Sequence, residues 1–193
     1  MTPAPTGPRL AQELLQGVPL SDAAKALLEP THTIRQFLER ISAAQLEVDA
    51  IRVLAAGLPK PESVWWGVLC VKQLMPKPWR VVCESALVSA EKWVKEPTDA
   101  NRRAAGSAAE KAGWDTPTGC LAGAAWLSGG SLSPPNLPTV MPREDLTGRT
   151  VAGVLLMLLA LDAKQADAMR TSILQLGQQI AKGEIKKGEA PKG

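Results

Sequence analysis

Residues 61–71 read Pro61-Glu62-Ser63-Val64-Trp65-Trp66-Gly67-Val68-Leu69-Cys70-Val71. Proline suits the first position of a helix, where its missing N–H has no partner to lose, and Glu62 in the first turn faces the positive end of the helix dipole. From Val64 to Val71 nearly every side chain is apolar. Neighbouring residues on a helix point about a third of a turn apart, so this helix has no polar face and must be covered on more than one side. It is the expected centre of the molecule.

The flanks are helical too. Thr33 and Gln36 have capping-box spacing, and Ile34, Phe37, Leu38 and Ile41 follow at i, i+3, i+4 and i+7. Val48, Ile51, Leu54, Ala55 and Leu58 mark a helix that stops before Pro59. On the N-terminal side, shorter helices are expected from Arg9 to Gln16 and from Ser21, an N-cap, to Pro30. Beyond residue 71, Pro78 opens a stripe of Trp79, Val82, Cys83, Ala86, Ala90 and Trp93. A helix over Asp99–Ala112 carries a seam of Ala104, Ala105, Ala108 and Ala112, with Gly113 as its C-cap. Thr116-Pro117 starts a helix reaching Leu127, and two more are expected at Thr150–Leu161 and after Asp162 to Ile180. Strand-like alternation appears nowhere for a useful length.

The exception is Trp126 to Pro142, which contains Ser128-Gly129-Gly130-Ser131 and four prolines. Two glycines and several fixed φ angles leave no room for a regular helix. A long loop inside a domain is usually either functional or disordered. Glycines with free amides can cradle a phosphate, but such sites draw on a helix that begins directly after them, and Leu132-Ser133-Pro134-Pro135 follows here. Gly129 reads better as a C-cap. Prolines pack well on tryptophan, so the loop is first a strap lying near Trp126 and one of Trp65, Trp66 or Trp93, and second a binding site. Arg102 and Arg103 oppose the dipole of the helix they begin, which calls for compensation by Asp99, Glu96 or a buried carbonyl, or for an anion or partner.

Composition narrows the function classes. The chain of 193 residues has a formal charge of +3, six Trp, one Phe and no Tyr, so tryptophan supplies the large core pieces. Lysine and arginine are not gathered on one face, which argues against a nucleic-acid partner. Cys70, Cys83 and Cys120 are odd in number and set among apolar residues, as buried thiols of a reducing compartment are. Met1 to Pro8 lacks the pattern of a secretory signal, and the apolar run Val151–Leu161 is too short to span a bilayer. The expected location is cytoplasmic.

The enzyme screen is negative throughout. His32 is the single histidine, expected at a surface helix N-terminus, so a two-histidine zinc site is excluded. No Cys-x-x-Cys, Walker loop or dinucleotide fingerprint is present, and Ser89/Lys92 match Ser-x-x-Lys without its companion motifs. No cofactor and no metal site are expected.

The segment Ala90-Glu91-Lys92-Trp93-Val94-Lys95-Glu96-Pro97-Thr98-Asp99-Ala100-Asn101-Arg102-Arg103-Ala104-Ala105 resembles a bacterial family of unknown function. So do Leu58-Pro59-Lys60 through Trp65-Trp66 and Ser128-Gly129-Gly130-Ser131-Leu132 with Pro134-Pro135, and the similarity spans most of residues 30–182. Leu127 departs from a second aromatic that the family carries beside Trp126. The resemblance implies an accessory or adaptor role beside secretion-system components and brings no catalytic residues with it.

Together these readings describe an all-α, single compact domain over residues 9–182, of roughly eight or nine helices and one long Gly/Pro-rich loop. Residues 1–8 and the Lys/Gly-rich 183–193 are expected to be disordered. The expected function is non-catalytic protein–protein interaction. Its candidate residues are Arg102, Arg103, Ser128, Gly129, Gly130, Ser131, Trp65, Trp66 and Trp126. The competing class is a small enzyme or ligand-binding module that holds an anionic ligand with the Gly-Gly loop and Arg102/Arg103.

Overall fold

The computed structural model describes residues 10–77, 84–134 and 136–190. Ten helices lie among the described residues, with no strand: α1 (Ala11–Leu14), α2 (Asp22–Ala26), α3 (Ile34–Ala43), α4 (Glu47–Gly57), α5 (Lys60–Leu74), α6 (Glu84–Lys95), α7 (Asp99–Ala112), α8 (Pro117–Trp126), α9 (Leu146–Leu161) and α10 (Ala166–Ala181). The expected helix start at Pro78 with Trp79, Val82 and Cys83 lies outside the described residues, as do Met1 to Pro8 and Pro135.

Helix α5 is the centre that its unbroken apolar run requires. Every residue from Ser63 to Val71 is buried, and α6, α8, α9 and α10 all pack around it. Trp66 is fully buried, its Nε1 donating to the Ile173 carbonyl of α10 at 2.9 Å. It packs on Gly177, where an added Cβ would come within 2.7 Å of the indole. Burial of one such ring stabilises the fold by roughly 5 kcal/mol from area alone.

Helix α4 divides two cores. Ile51, Leu54 and Ala55 join the principal core around α5, while Ala50 and Val53 face a smaller cluster with Ala11, Leu15, Leu20, Ala24, Phe37 and Ile41. The smaller cluster is closed by caps. Ser21 accepts from the Ala24 amide, and Thr33 with Gln36 forms the full capping box.

Several local expectations shift. His32 is buried, not at the surface: Nδ1 accepts from the Glu29 amide at 3.1 Å, the ring stacks on Phe37, and its carbonyl holds the Ala11 amide. Helix α9 begins at Leu146, one turn ahead of Thr150, and in its first turn Gly148 sits against the Ala55 carbonyl, where only a residue without Cβ fits. In the α7 seam Ala105, Ala108 and Ala112 meet the principal core as expected, Gly106 and Ala109 are buried with them, and Ala104 is exposed. Beyond α10, within the stretch expected to be disordered, Ile185 is buried in the principal core.

Candidate functional site

The candidate residues converge on the N-terminus of α7 and the segment after α8. Thr98 caps α7, its hydroxyl accepting from the Asn101 amide at 3.2 Å. Asp99 follows at the first helical position, with Arg102 and Arg103 three and four residues on. That spacing lets one carboxylate serve both cations on adjacent ridges of the helix.

Arg102 Nε and Nη2 donate to Asp99 Oδ1 at 2.9 and 2.6 Å, and Arg103 Nε donates to Oδ2 at 2.8 Å. The carboxylate also faces the helix N-terminus, which resolves the unfavourable placement of two arginines there. The Arg102 hydrogen bond first, then that of Arg103, holds the Asp99 carboxyl below its usual range.

The remaining donors seize the backbone of the loop. Arg102, only 4% exposed, gives Nη1 to the Trp126 carbonyl and Nη2 to that of Ser131, both at 3.0 Å. Arg103 reaches the carbonyls of Ser133 at 3.2 Å and Ser131 at 3.3 Å. Lys60, at the start of α5, donates to the Ser128 carbonyl at 2.8 Å and pairs with Glu144 at the same distance. The segment between α8 and α9 is thus pinned at both ends and in the middle. Lys60 was missing from the candidate set; its place in Leu58-Pro59-Lys60 was the one available signal.

Within the segment, the Leu132 amide donates to the Val140 carbonyl at 2.8 Å, and Ser131 Oγ accepts from the amides of Ser133 and Val140. Gly130, not Gly129, takes the left-handed conformation, with φ of 64°. An added Cβ there would also stand 2.9 Å from Arg102 Nη2. Gly129 is no C-cap: Leu127 caps α8, and no atom of the described residues lies within 4 Å of a Cβ built on Gly129.

The tryptophans separate into two groups. Trp126 packs on Gly106 and tilts against Trp114, ring centroids 6.0 Å apart, close to the arginines. Trp66 belongs instead to the α10 side of the core, and Trp65 is buried on α5 with no hydrogen-bond partner for Nε1 among the described residues. Trp114, absent from the candidate set, completes the aromatic pair and donates to Glu110 at 2.9 Å.

Beside the pinned segment lies a cavity of about 700 Å³ between α1, the α4–α5 turn and the start of α9. Its charged lining is largely paired internally, Lys60 with Glu144 and Arg143 with Asp145. Among the described residues no group of three His, Cys, Asp or Glu could hold a metal ion. None of their helices is long and apolar enough to cross a membrane.

An all-helical domain with an arginine-clasped loop is thereby defined. The chain belongs to a family of unknown function (DUF6931), whose model matches residues 37–181. No curated protein and no solved structure matches it.

Proposed function

We propose that the chain is a non-catalytic protein–protein interaction protein, an accessory that presents the segment after α8 to a protein partner. The observation that carries this is the exposure of Leu137, Val140 and Met141, at 54%, 53% and 62%, on a segment whose backbone is anchored by Arg102 and Arg103. Single exposed apolar residues are ordinary, but three within five positions on one held segment make a patch of the kind that marks contact surfaces. Anchoring the backbone beforehand lowers the entropy that association must overcome. The resemblance implies an accessory role beside secretion-system components, so the components of such an apparatus are the partner class to test first, with this chain as a cytoplasmic adaptor.

The competing reading, an anionic ligand on the Gly-Gly loop, draws less support from the geometry. Four donated hydrogen bonds of Arg102 and three of Arg103 already go to Asp99 and to carbonyls of the chain.

The test is a triple variant, Leu137→Ser, Val140→Ser and Met141→Ser, compared with the unaltered protein in affinity capture from the native host. The partner recovered by the unaltered protein is lost from the variant, while the melting temperature moves by less than about 2 °C because the side chains are exposed. Equal recovery by both proteins would overturn the proposal.

A further inference from the structure

A second cleft, of about 230 Å³, lies between Val18-Pro19, Arg52 of α4 and the α9 residues Arg149, Ala152, Gly153 and Leu156. It is smaller than the roughly 300–1,000 Å³ of pockets for drug-sized ligands, so it suits a body the size of one amino-acid residue. Its lining is apolar apart from two arginines, and no acidic residue lines it.

Each arginine has an ion-pair partner, Arg52 in Asp49 and Arg149 in Asp145, but neither commits its donors as fully as the arginines of the α7 clasp. Both oxygens of Asp49 are taken by Ser21, through the amide at 2.9 Å and the hydroxyl at 2.7 Å. Arg52 Nη1 stands 3.6 Å from Asp49 and donates no hydrogen bond among the described residues. Among the described residues Arg149 donates one hydrogen bond, to Asp145 at 3.2 Å, and shares that carboxylate with Arg143. Planar guanidinium groups with spare donors match a carboxylate's two oxygens.

Gly153 is an independent observation. It lies inside a sixteen-residue helix, where glycine is less stable than alanine, yet no atom of the described residues lies within 4 Å of a Cβ built on it. Gly67, Gly106, Gly148 and Gly177 each lie against a neighbour that would meet a Cβ within 3 Å. Gly153 has no such packing reason, and its bare backbone faces the cleft.

We infer that the cleft between Arg52, Arg149 and Gly153 binds a carboxylate carrying a short apolar body, with the guanidinium groups on the acid and Val18, Ala152 and Leu156 against the hydrocarbon. Such a group occurs in a free branched-chain acid and in the last residue of a polypeptide.

The experiment titrates the isotope-labelled protein with N-acetyl-leucine, N-acetyl-leucinamide, 4-methylpentanoate and an acetylated dipeptide ending in leucine, following amide resonances. N-acetyl-leucine shifts those of Ala152 and Gly153 saturably, and the amide binds at least about tenfold more weakly. Arg149→Gln and Arg52→Gln each weaken binding at least about fivefold, and Gly153→Leu abolishes it by filling the cleft. Gly153→Ala raises the melting temperature by about 2–4 °C, showing that the glycine does not serve stability. Tighter binding of the dipeptide assigns the site to a chain terminus; equal or tighter binding of 4-methylpentanoate assigns it to a free acid. Equal affinity for acid and amide, retained binding in Gly153→Leu, or no shift at about 20 mM acid would overturn the inference.

Discussion

Arg102 and Arg103 are adjacent and alike in charge, yet they have different surroundings. Arg102 is buried with its donors committed, whereas Arg103 keeps a third of its side chain exposed. Arg102→Met therefore leaves the Trp126 and Ser131 carbonyls short of a donor and should destabilise the fold by about 3 kcal/mol. Arg103→Ala should cost about 1 kcal/mol or less. Urea denaturation followed by tryptophan fluorescence measures both, and equal losses would contradict the assigned asymmetry.

The same site sets a pH dependence. The Asp99 carboxyl is depressed in the folded state, chiefly by the Arg102 hydrogen bond, so the unfolded chain takes up this proton at higher pH than the folded one. The contribution is complete above the ordinary carboxylate range and is lost as pH falls through the lowered value. Asp145 shifts the same way: burial alone would raise it, but hydrogen bonds from Arg143 and Arg149 outweigh that. The urea midpoint should fall below about pH 4, and Asp99→Asn should make that fall shallower. An unchanged acid profile in the variant would exclude Asp99 as a contributor.

At the scale of elements, helices were legible wherever a cap or a 3.6-residue stripe was written locally. Ser21, Thr33/Gln36 and Thr116 all cap as their spacing implies. The seam of α7 was legible only in part. Alanines at 104, 105, 108 and 112 do not say which side meets a neighbour; the indole of Trp126 on Gly106 decides it. The segment after α8 was legible as a break in helicity, but its anchoring was not, because Arg102, Arg103 and Lys60 reach it across 28 to 68 residues. Removing Ser131–Pro138 takes away the Ser131 carbonyl that both arginines share and the Ser133 carbonyl of Arg103, and should lower stability by about 3 kcal/mol. Combined with Arg102→Met, the two losses should fall short of their sum, since both break the Arg102–Ser131 hydrogen bond. Additive losses in a double-mutant cycle would disprove the clasp.

Across the whole molecule, α5 and its neighbours form a closed core in which Cys70 is fully buried, and burial pushes its thiol far up. Its alkylation should require global unfolding, whereas Cys120, half-buried with Sγ donating to the Trp114 carbonyl, should label sooner. Peptide mapping after timed alkylation in native buffer checks this, and prompt labelling of Cys70 would contradict the packing.

What the sequence by itself determined is the helical class, the central place of residues 63–71 and the chief breaks between elements. These follow from local chemistry: caps, proline geometry and a run too apolar to face water. Only the tertiary structure decided that Trp66 lies on Gly177, that His32 is interior, and that Asp99 spends its carboxylate on two arginines while those arginines hold the loop. It alone brought Arg52 and Arg149 to one cleft over a bare Gly153. Those outcomes depend on which side chains meet across long stretches of chain, and a one-dimensional pattern of polarity carries no record of distance.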